Sequence, residues 1–110
     1  MADPRLRSLK IQTGVVKRLA KEKSVYEQEV VKQTAHIEKM KADGKDEYDI
    51  KKQTEVLEES RMMIPDCQRK LKDAHAKIMS LLDESHELHE TKEYTDAKEQ
   101  ADLTQSIVNA

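Results

Sequence analysis

The sequence predicts an all-α protein, an antiparallel three-helix bundle drawn out into an elongated rod, with its second helix kinked at Pro65. Three observations carry that expectation. Apolar residues recur every seven positions over two long stretches. Charged residues make up 38% against 36% apolar, with no Trp and no Phe, and the 110 residues include only two Gly and two Pro. A seven-residue repeat keeps one stripe of a helix turned to a partner. A chain so poor in large apolar side chains cannot fill a thick core, yet it can fill a narrow seam between helices. Few turn residues mean long elements, and the length suits one domain over residues 1–110.

Helix one is expected over about 4–43. Asp3 is a capping residue, and Pro4 suits the first helical position because its missing N–H would be unpaired there anyway. Leu9, Val16, Lys23, Val30 and Ile37 form one column of the repeat, and Gln12, Leu19, Tyr26, Gln33 and Met40 form the other. Gly14 costs this helix about 1 kcal/mol relative to Ala. Asp43-Gly44 ends it, since Gly44 can take the left-handed conformation at no steric cost.

Helix two is expected over about 47–84. Asp46 caps it, and Glu47 and Asp49 put negative charge on its first turn. Ile50, Leu57, Ile64, Leu71 and Ile78 recur at sevens, beside Gln53, Ser60, Cys67, Ala74 and Leu81. Pro65 removes one hydrogen bond and crowds the carbonyl of Arg61, at about 3 kcal/mol. The repeat keeps its phase across it, which reads as a bend within one helix. The short turn between helices one and two makes them antiparallel, pairing Met40 with Ile50, Tyr26 with Ile64, Val16 with Ala74 and Leu9 with Leu81.

Helix three is expected over about 88–108, with Ser85 or Thr91 as its cap. Tyr94, Ala97, Ala101, Thr104 and Val108 form its stripe, and Leu103 and Ile107 widen it. With about 20 residues it spans about 30 Å, against about 57 Å for each of the others. It therefore reaches back only to about Cys67, and the stretch from about Ser24 to Ile64 stays a two-helix hairpin with an uncovered apolar flank. Uncovered apolar surface tends to be a binding site.

The chemistry the sequence excludes is broad. His86-Glu87-Leu88-His89 has its histidines three apart, not the four that a zinc-protease helix needs. Cys67 and His75 are two helical turns apart, about 12 Å, too far to act together. No phosphate-binding loop is present, so neither an enzyme nor a bound cofactor or metal is expected. One cysteine and no apolar run of about 20 residues point to a reducing, cytoplasmic setting without a membrane span. Up to Lys41 there are ten Lys/Arg against five Asp/Glu, and from Ala42 onward ten against seventeen. That balance is too mild for nucleic acid, and three scattered Tyr make no base-stacking platform. A membrane-surface helix would need Trp or Phe anchors. Lys23 at a seam position either fixes pairing or lays its stem along the seam with its ammonium in water.

Several stretches are similar to a known family. Ile11-Gln12-Thr13-Gly14-Val15-Val16-Lys17-Arg18-Leu19, Lys21-Glu22-Lys23 and Tyr26-Glu27 resemble the first helix of the tubulin-specific chaperone A (tubulin-binding cofactor A) family. Tyr48-Asp49-Ile50-Lys51-Lys52-Gln53 and the run Glu59-Ser60-Arg61-Met62-Met63-Ile64-Pro65-Asp66-Cys67-Gln68-Arg69 resemble its second helix. Met1-Ala2-Asp3-Pro4-Arg5 resembles its start. The resemblance covers about residues 1–72, and the rest matches in helical pattern and acidity. It implies a tubulin folding cofactor that holds quasi-native β-tubulin released from the cytosolic chaperonin and passes it towards cofactor D, without nucleotide or metal, in a cytoplasmic, cytoskeleton-associated setting. A structural coiled-coil adaptor acting through homodimerisation is the alternative, and the chain is expected to be a monomer or weak homodimer.

Eight residues are the candidate protein-binding set. Lys17, Arg18 and Lys21 form a basic face that either steers an acidic partner such as tubulin or balances the acidic third helix. Tyr26, Val30, Val31, Met62 and Met63 surround the uncovered flank. Met side chains adapt to varied partners, although one of each adjacent pair can equally be a seam residue.

Overall fold

The computed structural model describes residues 3–110, so Met1 and Ala2, the first two residues of the resemblance at the chain start, lie outside the described residues. Three α-helices follow in order: α1 (Pro4–Ala42), α2 (Glu47–Glu84) and α3 (Lys92–Val108), with a 3-10 turn at His86–Leu88 before the last. No strand occurs among the described residues.

The helix ends follow from local chemistry. Asp3 Oδ1 accepts the backbone N–H of Arg5 at 2.9 Å, with Pro4 opening α1. At the other end Lys45 N–H reaches Met40 O at 3.0 Å, Gly44 N–H reaches Lys41 O at 3.2 Å, and Gly44 has φ 69°. That pair of bonds around a left-handed glycine satisfies the last carbonyls of α1. Asp46 Oδ1 then accepts Tyr48 N–H at 2.8 Å and caps α2. The helix runs uninterrupted through Pro65, with Ile64 half-buried just before it and Cys67 and Leu71 buried beyond it.

The third helix starts later than the expected bound of about 88. Leu88 belongs to the 3-10 turn, and α3 begins only at Lys92, where Thr91 Oγ1 accepts Tyr94 N–H at 3.2 Å. Thr91 in extended backbone supplies the cap that Leu88 cannot. Leu103, expected to widen the buried stripe, is 60% exposed. Ala97, Ala101, Thr104 and Val108 are buried, which leaves Leu103 off that stripe.

The chain divides into two compact units, one of residues up to Lys21 with Gln68–Ala110, the other Glu22–Cys67. The first holds three helices. Leu9, Val16 and Leu19 of α1 meet Leu71, Ala74, Ile78 and Leu82 of α2 and Ala97, Ala101 and Val108 of α3 in one core. His75 Nε2 lies 3.0 Å from Ala101 O and Gln68 Nε2 donates to Ile107 O at 2.9 Å. Residue numbers rise on α2 as they fall on α3, so these two run antiparallel. A carbonyl only accepts, so the buried His75 carries its proton on Nε2.

The second unit holds two helices. Ile37, Leu57 and Cys67 are its buried apolar residues. Gln33 Nε2 donates to Gln53 O at 3.0 Å and to Gln53 Oε1 at 2.7 Å, so polar groups share this seam. Cys67 is a small buried seam residue without a disulfide. Lys23 keeps its side chain only 15% exposed while its ammonium lies 3.4 Å from Glu27, which is the stem-along-the-seam arrangement.

Candidate protein-binding surface

Exposed large apolar residues gather where α3 is missing. Val25, Val31, Tyr48, Val56, Met62 and Met63 are exposed in the two-helix unit, against Ile11, Met79 and Leu103 in the three-helix unit. Two helices offer each other one seam, so side chains beside it have nothing to pack under.

The structure brings three of the candidate residues together. Tyr26 of α1 shares an open groove of about 450 Å³ with Glu59, Ser60, Met62 and Met63 of α2. These lie in the turn just before Ile64. Ser60 is too small to fill its seam position, and the gap it leaves is flanked by the Tyr ring and the methionines. Met62 is 71% exposed and Met63 37%. Val31, 69% exposed, sits instead in a groove of about 440 Å³ on α1 with Ser24, Glu27, Gln28 and Lys32. Val30 is half-buried. Lys17, Arg18 and Lys21 are exposed on α1 but belong to the three-helix unit. The α1 base that shares a cleft with acidic Glu93 and Asp96 of α3 is Lys10, not one of these three.

Sequence reasoning passed over Ser60 and Glu59 as groove residues. The signal was present in a small residue at a heptad position next to two methionines. It also passed over a groove of about 560 Å³ in the three-helix unit, lined by Ser8, Ile11 and Gln12 of α1 and Ala76, Lys77, Ser80, Leu81 and Glu84 of α2. Its trace was the small set Ser8, Ala76 and Ser80 beside exposed Ile11.

One electrostatic cluster stands in the three-helix unit. Arg5 Nη2 lies 2.6 Å from Asp3 Oδ2, Arg5 Nη1 pairs with Glu87, and the same nitrogen donates to Glu84 O at 3.1 Å. The Arg5 guanidinium and backbone N–H hold the Asp3 carboxyl down to about 2, and the guanidinium also lowers that of Glu87. Arg5 is raised in turn by Asp3 and then Glu87. The cluster ties the start of α1 to the turn ahead of α3. His86 and His89 stack at 5.5 Å between ring centroids and are exposed. Among the described residues no group of three or more His, Cys, Asp or Glu could hold a metal ion, and no helix is long and apolar enough to cross a membrane.

The described residues define a helical-bundle protein whose two-helix unit keeps an apolar groove open. The particular family follows from its relatives. The family model of tubulin binding cofactor A matches residues 4–101. The tubulin-specific chaperone A of Gallus gallus is 62% identical over 98 residues, covering 89% of this chain and 91% of its own. Among solved structures, human tubulin chaperone cofactor a has a TM-score of 0.79 at 49% identity, covering 93% of this chain and 99% of its own. A structure titled RBL2P, a β-tubulin binding post-chaperonin cofactor, has a TM-score of 0.78 at 30% identity, covering 94% and 99%. The chain belongs to the tubulin binding cofactor A family, whose members are named tubulin-specific chaperones and tubulin cofactors.

Proposed function

We propose that this chain captures quasi-native β-tubulin after its release from the cytosolic chaperonin, holds it through the Tyr26 groove, and passes it towards cofactor D for αβ-tubulin assembly. The broader role, a tubulin chaperone, comes with the family. The naming of a related structure as a β-tubulin binding post-chaperonin cofactor supports the choice of β-tubulin and the stage of folding. In this reading the chain works in the cytoplasm beside the cytoskeleton, as one three-helix domain and as a monomer or weak homodimer, with no nucleotide.

The observation that carries the reading is the placement of Met62 and Met63 opposite Tyr26, exposed on the half that α3 does not cover. A folding intermediate must expose apolar surface before it meets its partner subunit. A chaperone without ATP can only bind such a patch and release it by competition, which needs a preformed and adaptable surface. Met62→Ser with Met63→Ser is expected to weaken capture of β-tubulin about tenfold while leaving the helical signal and melting temperature nearly unchanged. Normal capture by a fully folded double variant moves the contact elsewhere, with the Ile11–Leu81 groove as the next place to look.

A further inference from the structure

We infer that the Tyr26 groove takes an apolar side chain carried on a cationic segment of its protein partner, with Lys or Arg flanking the anchor. This rests on the capture reading above and names the chemistry of what is captured.

The rim of the groove is negative. Glu59 is one of its walls, and Glu55 stands one helical turn earlier on the same face of α2. Glu29 follows Tyr26 by three residues on α1. The side chains of Glu29, Glu55 and Glu59 make no ion pair or hydrogen bond among the described residues. Two of the nearby cations are already engaged: Arg61 Nη1 lies 2.9 Å from Glu58, and Lys23 Nζ lies 3.4 Å from Glu27, while Lys32, Lys51 and Lys52 stand within a turn of Glu29 or Glu55 without an ion pair to them. Residues 22–67 hold 12 Asp/Glu against 8 Lys/Arg, a net of −4, while the whole chain is only −2. The uncompensated charge of the chain therefore lies on the half that carries the groove.

Each part of the groove then has a counterpart in the occupant. Ser60 leaves room for an apolar side chain between Tyr26 and the methionines, whose thioethers adapt to its shape. Carboxylates at Glu55 and Glu59 meet cations beside that anchor, towards the start of α2, and the Tyr26 ring can take a cation on its face. Charge complementarity at such a rim acts through steering and register more than through raw affinity. An acidic or neutral apolar segment meets like charge or gains nothing from the rim. The carboxylates also bar a second copy that would present this same half, since equal negative rims would face each other.

The test uses labelled synthetic peptides tiling β-tubulin, with binding to the full chain followed by fluorescence anisotropy. Peptides that bind are expected to join an apolar anchor to net positive charge. Glu55→Lys with Glu59→Lys should weaken them about tenfold, and Glu55→Gln with Glu59→Gln about threefold. Raising salt from about 50 mM to about 500 mM should erase the difference between wild type and the Gln variant. Both variants change exposed residues, and circular dichroism checks that each stays folded. If neutral or acidic peptides bind as well, and binding depends on Met62 and Met63 but not on the glutamates, the cationic occupant is wrong and the capture site stands. If neither pair of changes matters, both fall. A wild-type dimer that Met62→Ser with Met63→Ser turns into a monomer in sedimentation makes the occupant a second copy, and overturns the inference.

Discussion

The three-helix unit and the two-helix unit share α1 and α2 yet bury them differently. Where α3 is present, Leu9, Val16, Leu71 and Ile78 lose all contact with water. Where it is absent, Ile37 and Leu57 are buried, and a glutamine pair occupies part of the seam. The same helices thus lie in a closed core in one unit and keep large apolar side chains exposed in the other. A third helix of 17 residues against two of 39 and 38 is the cause of the difference. The lesson is that helix length alone divides this chain into a part with a three-helix core and a part that keeps apolar side chains exposed.

The comparison breaks first on stability. Leu71→Ala removes a fully buried side chain with neighbours from three helices and should cost about 4 kcal/mol, whereas Leu57→Ala, with one facing helix, should cost about 2 kcal/mol. Urea denaturation measures both. Equal losses would mean that the two-helix unit is packed as tightly as the other.

Pro65 sharpens it next. Pro65→Ala restores a hydrogen bond to Arg61 O and should raise stability by up to about 3 kcal/mol. If the proline also shapes the display surface, capture of β-tubulin weakens although the protein is more stable. A gain in melting temperature with unchanged capture would leave the proline without a part in binding.

The smallest effect belongs to pH and to the three-helix unit. The carboxyl of Asp3 sits at about 2 against an ordinary 3.8. A carboxylate lowered by folding adds stability that is complete above its unfolded value and is lost as pH falls through its folded one. The Arg5 cluster therefore weakens between about pH 4 and about pH 2. Arg5→Gln should flatten that part of the acid-melting curve through a loss of stability at neutral pH that vanishes by about pH 2, and the loss is small because solvent screens the pair.

Much of the fold was legible because its signals are local. Asp3, Gly44 and Asp46 each set a helix end through local hydrogen bonds, and Pro4 suits the first position of α1 because it has no N–H to leave unpaired. The heptad phase across Pro65 carried the continuity of α2. The start of α3 was less legible, since Ser85 and Thr91 were both candidate caps, and the choice falls to Thr91 through its hydroxyl contact with the N–H of Tyr94. The groove was half legible. Tyr26, Met62 and Met63 stood out by type, but their meeting depends on the register of α1 against α2, which one residue's identity does not fix. Ser60 counts there for the volume it does not fill, and Glu59 for lacking a cation, and neither absence is visible in a pattern of apolar residues.

Hydrogen exchange of the chain alone and in complex with β-tubulin tests the central claim most directly. Bound β-tubulin should slow exchange at backbone amides near Tyr26 and from Glu59 to Met63, with α3 unchanged. Slowing confined to α3, or to the Ile11–Leu81 groove of the three-helix unit, would contradict the assignment of the two-helix unit as the surface that binds.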